Sequence, residues 1–132
     1  MCGLTRVEDA MMLGRHMPDY AGFVFAKSKR RLEPDQARAI AQCLDKRILR
    51  VGVFVDSSVD YVLSVVSTVG LDVVQLHADT TYAYFDQLKK ELSRAALSHV
   101  KIWQRIPIPS DATSADEVFE RIKYYPELTA FD

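Results

Sequence analysis

The chain has few cysteines, no long apolar run and no excess charge of either sign. Its two cysteines, Cys2 and Cys43, are too few for a disulfide framework and lack the spacing of a zinc site. No apolar run approaches the ~18–20 residues of a membrane helix, and the first residues do not form the charged-then-apolar pattern of a signal segment. The 17 basic and 18 acidic residues nearly cancel, which disfavours polyanion binding. We therefore expect a cytoplasmic protein without nucleic-acid or membrane partners.

Hairpin dipeptides such as Asn-Gly are also absent between the short β-branched and aromatic runs of the sequence. These runs alternate with longer segments of helical period, and that alternation predicts a parallel sheet. A chain of 132 residues that is 48% hydrophobic fits one domain with one core, over residues 1–132. The predicted strands cover residues 1–3, 20–26, 48–55, 73–77, 100–105 and 128–131.

Five helices are predicted between these strands. Four of them are marked by local signals: capping-box patterns, a proline suited to a first helical position, and a glycine after a last turn. A further helix is predicted over residues 81–95 from its apolar spacing. In chain order the marking residues are Thr5 with Glu8, Pro34, Gly70, and Ser114 with Glu117.

Two reactive side chains follow predicted strands at opposite ends of the chain. Cys2 precedes a helix whose amide dipoles favour a thiolate, although a buried structural cysteine is the alternative. Asp132 ends an apolar strand, where a carboxylate is costly unless it faces a polar site. A terminal residue that is simply exposed is the alternative there. Since parallel strands deliver their carboxyl ends to one edge of a sheet, the two groups together suit proton transfer.

Polar side chains follow three further strands. Arg30 lies in a Lys-Ser-Lys-Arg-Arg loop, and its planar guanidinium suits a carboxylate, whereas a solvated basic loop is the alternative. Gln75 and His77 lie on one side of their strand, because strand side chains alternate with period two, and we expect them in a pocket wall. A structural histidine is the alternative. Asp56 is expected to cap the helix that follows it.

Four segments resemble the phosphoribosylanthranilate isomerase family, and the resemblance spans nearly the whole chain. It implies a TIM (β/α)8 barrel, here truncated to about six parallel strands with five helices. It also implies a general base at Cys2, a general acid at Asp132, an anthranilate carboxylate bound by Arg30, and substrate contacts by Gln75 and His77. The segments are Cys-Gly-Leu-Thr at 2–5, Gly-Phe-Val-Phe at 22–25, Val-Gly-Val-Phe-Val at 51–55 and Val-Gln-Leu-His at 74–77.

The implied activity is an aldose–ketose isomerisation in tryptophan biosynthesis. N-(5-phosphoribosyl)anthranilate, a phosphosugar, would become 1-(2-carboxyphenylamino)-1-deoxyribulose 5-phosphate without a metal or organic cofactor. The resemblance also implies a partner, since some relatives are fused to indoleglycerol-phosphate synthase. The chain departs from the family pattern in three places: a proline is absent after Phe25, Arg31 replaces an aromatic residue, and Ala78 replaces a glycine. The basic loop can therefore be aligned in two registers that differ by one residue.

The length of the chain bears on this implied activity. A complete barrel usually needs about 200 residues or more, so 132 residues lead us to expect a fragment that is inactive alone. In the family the substrate phosphate is bound by glycine-rich loops after strands seven and eight. The alternative is an open, doubly wound α/β module that binds a small ligand, although no Gly-x-Gly-x-x-Gly or Gly-Lys-Ser/Thr loop supports it. A barrel with another phosphosugar reaction is a third interpretation.

Overall fold

Helices and strands alternate along the chain in a computed structural model, which describes residues 1–78 and 80–105. Four parallel strands are separated by helices, and a further helix precedes the first strand. The elements are α1 (Val7–His16), β1 (Tyr20–Val24), α2 (Pro34–Gln42), β2 (Leu49–Phe54), α3 (Val59–Val69), β3 (Val73–Leu76), α4 (Tyr82–Arg94) and β4 (Lys101–Gln104).

The strands lie in the sheet in the same order as in the sequence, β1-β2-β3-β4, and every pair is parallel. The predicted first strand is reduced to a single parallel bridge between Cys2 and Gly22, which extends the same order by one step. A doubly wound sheet reverses its strand order at a switch point. No reversal occurs in the described residues, so the alternative of a doubly wound module is wrong for this part of the chain.

One face of the sheet packs against the helices and forms the main core. Its strand residues alternate with those of the opposite face, as the pleat of a strand requires. The helices contribute apolar stripes to the same cluster. Val62, Val65 and Leu88 of these stripes are fully buried. The strand residues of this helix-facing side that belong to the core are Ala21, Phe23, Phe25, Phe54, Val74 and Leu76.

The opposite face is concave. Val51, Val53 and Val73 lie on it and are buried although they do not belong to the core cluster beneath the helices. Tyr20 of β1 and Trp103 of β4 lie on the same face, and their ring centroids are 5.0 Å apart. The first and fourth strands of a flat sheet would be about 14 Å apart, so this contact requires the sheet to curve as it does in a barrel.

Local signals placed most helix ends correctly. Pro34 is the first residue of α2, and Gly70 follows α3 in the left-handed conformation at φ 73°. The predicted cap at Thr5 is wrong: α1 begins at Val7, and Asp9 rather than Glu8 accepts the backbone N–H groups. The amides of Thr5 and Arg6 both donate to Asp9 Oδ2, at 3.0 Å, and they lower the pKa of that carboxyl. An aspartate in the first turn can reach two amides at once.

The four predicted strands between residues 20 and 105 are confirmed in position and shortened at their ends. The strand predicted over residues 20–26 ends at Val24, and the one over 100–105 becomes Lys101–Gln104. The structure thus describes four strands and four helices where six and five were predicted for the whole chain. The predicted helix after Ser114 and the strand at 128–131 lie outside the described residues.

Candidate active site

The thiol of Cys2 lies on the concave face of the sheet. Cys2 and Gly22 are paired in a parallel bridge, and the amides of Gly3 and Leu4 both donate to Gly22 O, at 2.8 and 3.2 Å. The Cys2 Sγ atom is 2.8 Å from the point where a Cβ on residue 22 would stand. Only glycine leaves room for the thiol there. Cys2 is exposed, which excludes the alternative of a buried structural cysteine.

The guanidinium of Arg30 packs against the same N-terminal segment. Arg30 Nη1 donates to Cys2 O at 3.4 Å, and the Arg30 side chain occupies the space beside Gly3 that a Cβ would need. Gly3 has φ +86°, a left-handed conformation that favours glycine. The structure therefore brings Cys2 and Arg30 together, although 28 residues separate them.

The loop that carries Arg30 is held by its own backbone. The amide of Arg30 donates to Ser28 Oγ at 3.1 Å, and the amide of Leu32 returns to β1 through Val24 O at 2.9 Å. Arg31 turns away and lies 3.4 Å from the Glu33 carboxylate, an exposed pair that contributes little to stability. Of the two loop arginines, the geometry therefore favours Arg30 as the one that contacts the Cys2 segment.

Gln75 and His77 share the concave face with Cys2. Gln75 is paired with Val53, which is paired with Val24, and Val24 lies two residues beyond Gly22 on the same side of β1. Gln75 is half-buried, while His77 follows the end of β3 and is exposed. Within the described residues, no hydrogen bond joins either side chain to Cys2, and only the shared face relates them to it. Their placement agrees with a pocket wall, and their role in binding remains a prediction.

The sequence predicted roles for two carboxylates, those of Asp132 and Asp56. Asp132, the predicted general acid, lies outside the described residues. Asp56 follows β2 with φ 48° and does not cap α3, so that prediction is wrong. The cap of α3 is Ser58, whose hydroxyl accepts the Tyr61 N–H at 3.3 Å. Ser58 is the residue immediately before the helix, where a short hydroxyl side chain reaches the free amides.

A cavity of about 160 Å³ lies beside this site, at the ends of β2 and β3 and on the helix-facing side of the sheet. Tyr84 of α4 closes one wall by donating its hydroxyl to Ser57 O at 2.7 Å. Burial raises the pKa of the Tyr84 phenol. The apolar spacing of residues 81–95 predicted the helix but not this contact. The lining residues are Phe54, Asp56, Ser57, Leu76, Ala78, Thr80, Thr81 and Tyr84.

A second contact that the sequence did not reveal joins β4 to the loop after β3. Gln104 Nε2 donates to Ala78 O at 2.7 Å, across 26 residues. Residues 1–78 and 80–105 contain no group of three or more His, Cys, Asp or Glu side chains arranged to hold a metal ion. Nor does this part of the chain contain a helix long and apolar enough to cross a membrane.

Comparisons with known proteins agree with this geometry. The family model for N-(5'phosphoribosyl)anthranilate (PRA) isomerase matches residues 1–131. A Thermoanaerobacter sp. protein named N-(5'-phosphoribosyl)anthranilate isomerase is 48% identical over 89 residues, which are 67% of this chain and 44% of that protein. The chain thus spans about half the length of the curated relatives that it matches.

Solved structures give the same result for the fold. A structure of monomers generated from the dimeric phosphoribosylanthranilate isomerase of Thermotoga maritima superposes with a TM-score of 0.76. The two sequences are 32% identical, and the match covers 96% of this chain and 59% of that one. A second structure, of an isomerase in complex with reduced 1-(o-carboxyphenylamino)-1-deoxyribulose 5-phosphate, gives 0.75 with the same identity and coverage. The predicted fold class, part of a (β/α)8 barrel, is confirmed.

Proposed function

Since this chain belongs to the N-(5'-phosphoribosyl)anthranilate isomerase family, we propose that its protein converts N-(5-phosphoribosyl)anthranilate to 1-(2-carboxyphenylamino)-1-deoxyribulose 5-phosphate in tryptophan biosynthesis. The observation that carries the proposal is the placement of Cys2. Its thiol lies over Gly22 on the concave face, and its backbone carbonyl accepts a hydrogen bond from the Arg30 guanidinium. A proton acceptor next to a carboxylate-binding group is the arrangement that this substrate needs.

The reaction is a sequence of proton transfers. A general acid, which the family resemblance assigns to Asp132, protonates the ribose ring oxygen, and the C1–O bond breaks to give a protonated Schiff base. The Cys2 thiolate then takes the proton from C2, and the electron pair forms an enolamine. The enolamine takes a proton at C1 and gives up the proton of its C2 hydroxyl, and so becomes the ketone. Each of these steps is general acid or base catalysis, which typically contributes about 100- to 10,000-fold, and the product has the same atoms as the substrate.

Arg30 has the chemistry to orient the aromatic end of the substrate. A guanidinium presents two parallel N–H donors that match the two oxygens of a carboxylate. Gln75 and His77 would add uncharged or weakly basic donors from β3 on the same concave face. Binding the anthranilate carboxylate at Arg30 would place the sugar between this arginine and the thiol of Cys2.

The partner and the location are also proposals from the family resemblance. The substrate is a small phosphosugar, and the product is the substrate of indoleglycerol-phosphate synthase. We therefore propose a fusion to, or an association with, that enzyme. The same reasoning proposes a cytoplasmic protein, because the substrates of both steps are phosphorylated metabolites.

The experiment is a turnover assay on a chimera. The 132-residue chain is extended with the part of the Thermotoga maritima isomerase that it does not cover, which supplies the phosphate-binding loops expected after strands seven and eight. Freshly generated phosphoribosylanthranilate is added, and the loss of anthranilate-type fluorescence is followed. We expect turnover by the chimera, loss of it in Cys2→Ala and in Asp132→Ala, and none by the 132-residue chain alone.

The chimera needs a control for folding. Circular dichroism and a cooperative thermal transition show whether its two parts form one domain. A folded chimera without turnover, measured beside an active Thermotoga enzyme, would contradict the proposed activity. A Cys43→Ala chimera serves as the matched control for the thiol, because Cys43 is also exposed but lies after α2, away from the concave face.

A further inference from the structure

We propose that Gln104 is a positioning residue for His77, and this inference rests on the proposed function. The amide nitrogen of Gln104 holds the carbonyl of Ala78 at 2.7 Å. Ala78 is the residue immediately after His77. β4 thereby fixes the backbone of the loop that follows the neighbouring strand, β3. His77, a predicted substrate contact, lies at the start of that loop.

The loop after β3 has two further attachments to the sheet and its surroundings. The amide of His77 donates to Phe54 O at 2.9 Å, so the backbone continues the strand ladder by one residue. Thr80 Oγ1 donates to the same Ala78 carbonyl, at 3.2 Å. Gln104 brings a side chain from β4 to this loop. Its loss would leave the Ala78 carbonyl attached within its own loop alone.

The surroundings of Gln104 show that packing does not require a glutamine. Gln104 is paired with Leu76, and the same side of β4 carries Ile102, which packs against the core. The Gln104 Oε1 atom is buried and has no hydrogen-bond partner in the part of the chain that the structure describes. A buried oxygen without a partner destabilises a fold. Leucine would fill this place without that cost, so the property that distinguishes glutamine here is its amide donor.

The orientation of the amide is fixed by the same contacts. Gln104 Nε2 donates to Ala78 O and also to Arg105 O at 3.0 Å. A flipped amide would set Oε1 against two carbonyl oxygens, and an oxygen cannot donate to either of them. The unpaired oxygen is therefore a consequence of using both N–H groups on backbone carbonyls. One of those carbonyls follows His77.

The first test measures His77 directly in the 132-residue chain. We compare the wild type with Gln104→Leu, which removes the donor, and with Gln104→Glu, which keeps the shape and loses the N–H groups. Ile102→Val is the matched control on the same side of β4. Nuclear magnetic resonance of the imidazoles reports His77 beside the chain's other two histidines, which lie at positions 16 and 99.

We expect the His77 imidazole signals to shift and broaden in both Gln104 variants, with the other two histidines unchanged. The amide of His77 should exchange faster with solvent, and the free energy of unfolding of Gln104→Leu should not fall below that of the wild type. A structural glutamine predicts the reverse: lower stability and unaltered His77 signals. That reverse result, or equal His77 shifts in Ile102→Val, would overturn the proposal.

The second test is a double-mutant cycle in the active chimera. Gln104→Leu is expected to raise KM by ~10-fold with a smaller change in kcat, since misplacement of a binding group by about 1 Å can cost up to ~100-fold. In a His77→Ala background the same change should have no further effect. An equal rise in both backgrounds would show that Gln104 acts elsewhere. An inactive chimera would count against the proposed function, and the His77 signals alone would then decide the positioning role.

Discussion

Tyr20 and Trp103 meet edge to face across the concave side of the sheet, with an angle of 70° between their ring planes. They belong to the first and the last of the four described strands. Val51, Val53 and Val73 belong to the two strands between them, lie on the same face and are buried. The pair of rings therefore spans the curved inner face of the sheet on which these valines lie.

Replacement of Tyr20 by alanine is expected to loosen this closure. We predict a loss of about 1–2 kcal/mol in the free energy of unfolding, because an aromatic pair is lost and three valines become more exposed. Trp103 is the chain's single tryptophan, so its emission should shift to longer wavelength. Urea titration followed by fluorescence measures both effects. Met11→Ala, at a side chain that is 66% exposed, is the control, and an equal loss there would contradict the prediction.

Gly22→Ala is expected to displace the N-terminal segment that carries Cys2. A Cβ at this position would lie 2.8 Å from Cys2 Sγ and 3.1 Å from Cys2 Cα, and overpacking of this kind costs about 1–3 kcal/mol. We also expect a changed reaction rate of the Cys2 thiol with a thiol reagent, measured in a Cys43→Ser background.

The matched control for that change is Gly14→Ala. Gly14 lies within α1, and a Cβ there would meet nothing within 4 Å. Alanine is a better helix former than glycine, so this variant should gain about 0.5–1 kcal/mol and leave the reactivity of Cys2 unaltered. A stable Gly22→Ala protein with the wild-type thiol rate would show that the close approach of Cys2 to Gly22 is not required.

Tyr84 is expected to make the fold sensitive to alkali. Burial raises the pKa of the Tyr84 phenol above its ordinary value of 10.0. Above that ordinary value the unfolded chain loses the proton while the folded chain keeps it, so the free energy of unfolding falls as pH rises. Below pH ~10 the contribution is fully present.

Tyr84→Phe tests this pH dependence. The variant loses the hydrogen bond to Ser57 O and should be less stable at neutral pH by about 0.5–1.5 kcal/mol. Its stability should then decline less steeply between pH ~9 and ~11 than that of the wild type. Urea titrations across that interval provide the measurement, and parallel pH curves for the two proteins would contradict the assignment.

Arg30→Lys tests which loop arginine binds the substrate. Lysine keeps the charge but loses the fork that matches a carboxylate. In the chimera we expect KM to rise by about 10- to 100-fold, which corresponds to about 1.5–3 kcal/mol for a hydrogen bond to a charged group, with kcat less affected. Arg31→Lys is the control, because Arg31 faces Glu33. A larger effect from Arg31→Lys would reassign the carboxylate site.

Local chemistry made the elements of the fold predictable. β-branched and aromatic runs formed parallel strands, and Pro34 and Gly70 set the helix ends at which they were expected. The prediction of a cap at Thr5 was wrong because Asp9 lies close enough to accept hydrogen bonds from two backbone amides at once. Asp56 failed as a cap because the hydroxyl of Ser58 is nearer to the helix. In both cases several polar side chains lie near the free amides at the start of a helix, and the sequence did not show which of them accepts the hydrogen bonds.

The order of strands and helices along the chain, the two faces of each strand and the kinds of side chain at the strand ends follow from the amino-acid sequence alone. Period and propensity act over a few residues, so they can be recognised without the fold. The approach of Arg30 rather than Arg31 to Cys2, and the contact of Gln104 with Ala78, could be seen only in the folded chain. Those contacts join residues 28 and 26 positions apart. Their partners become neighbours only when parallel strands curve together and bring separate loops to one edge of the sheet.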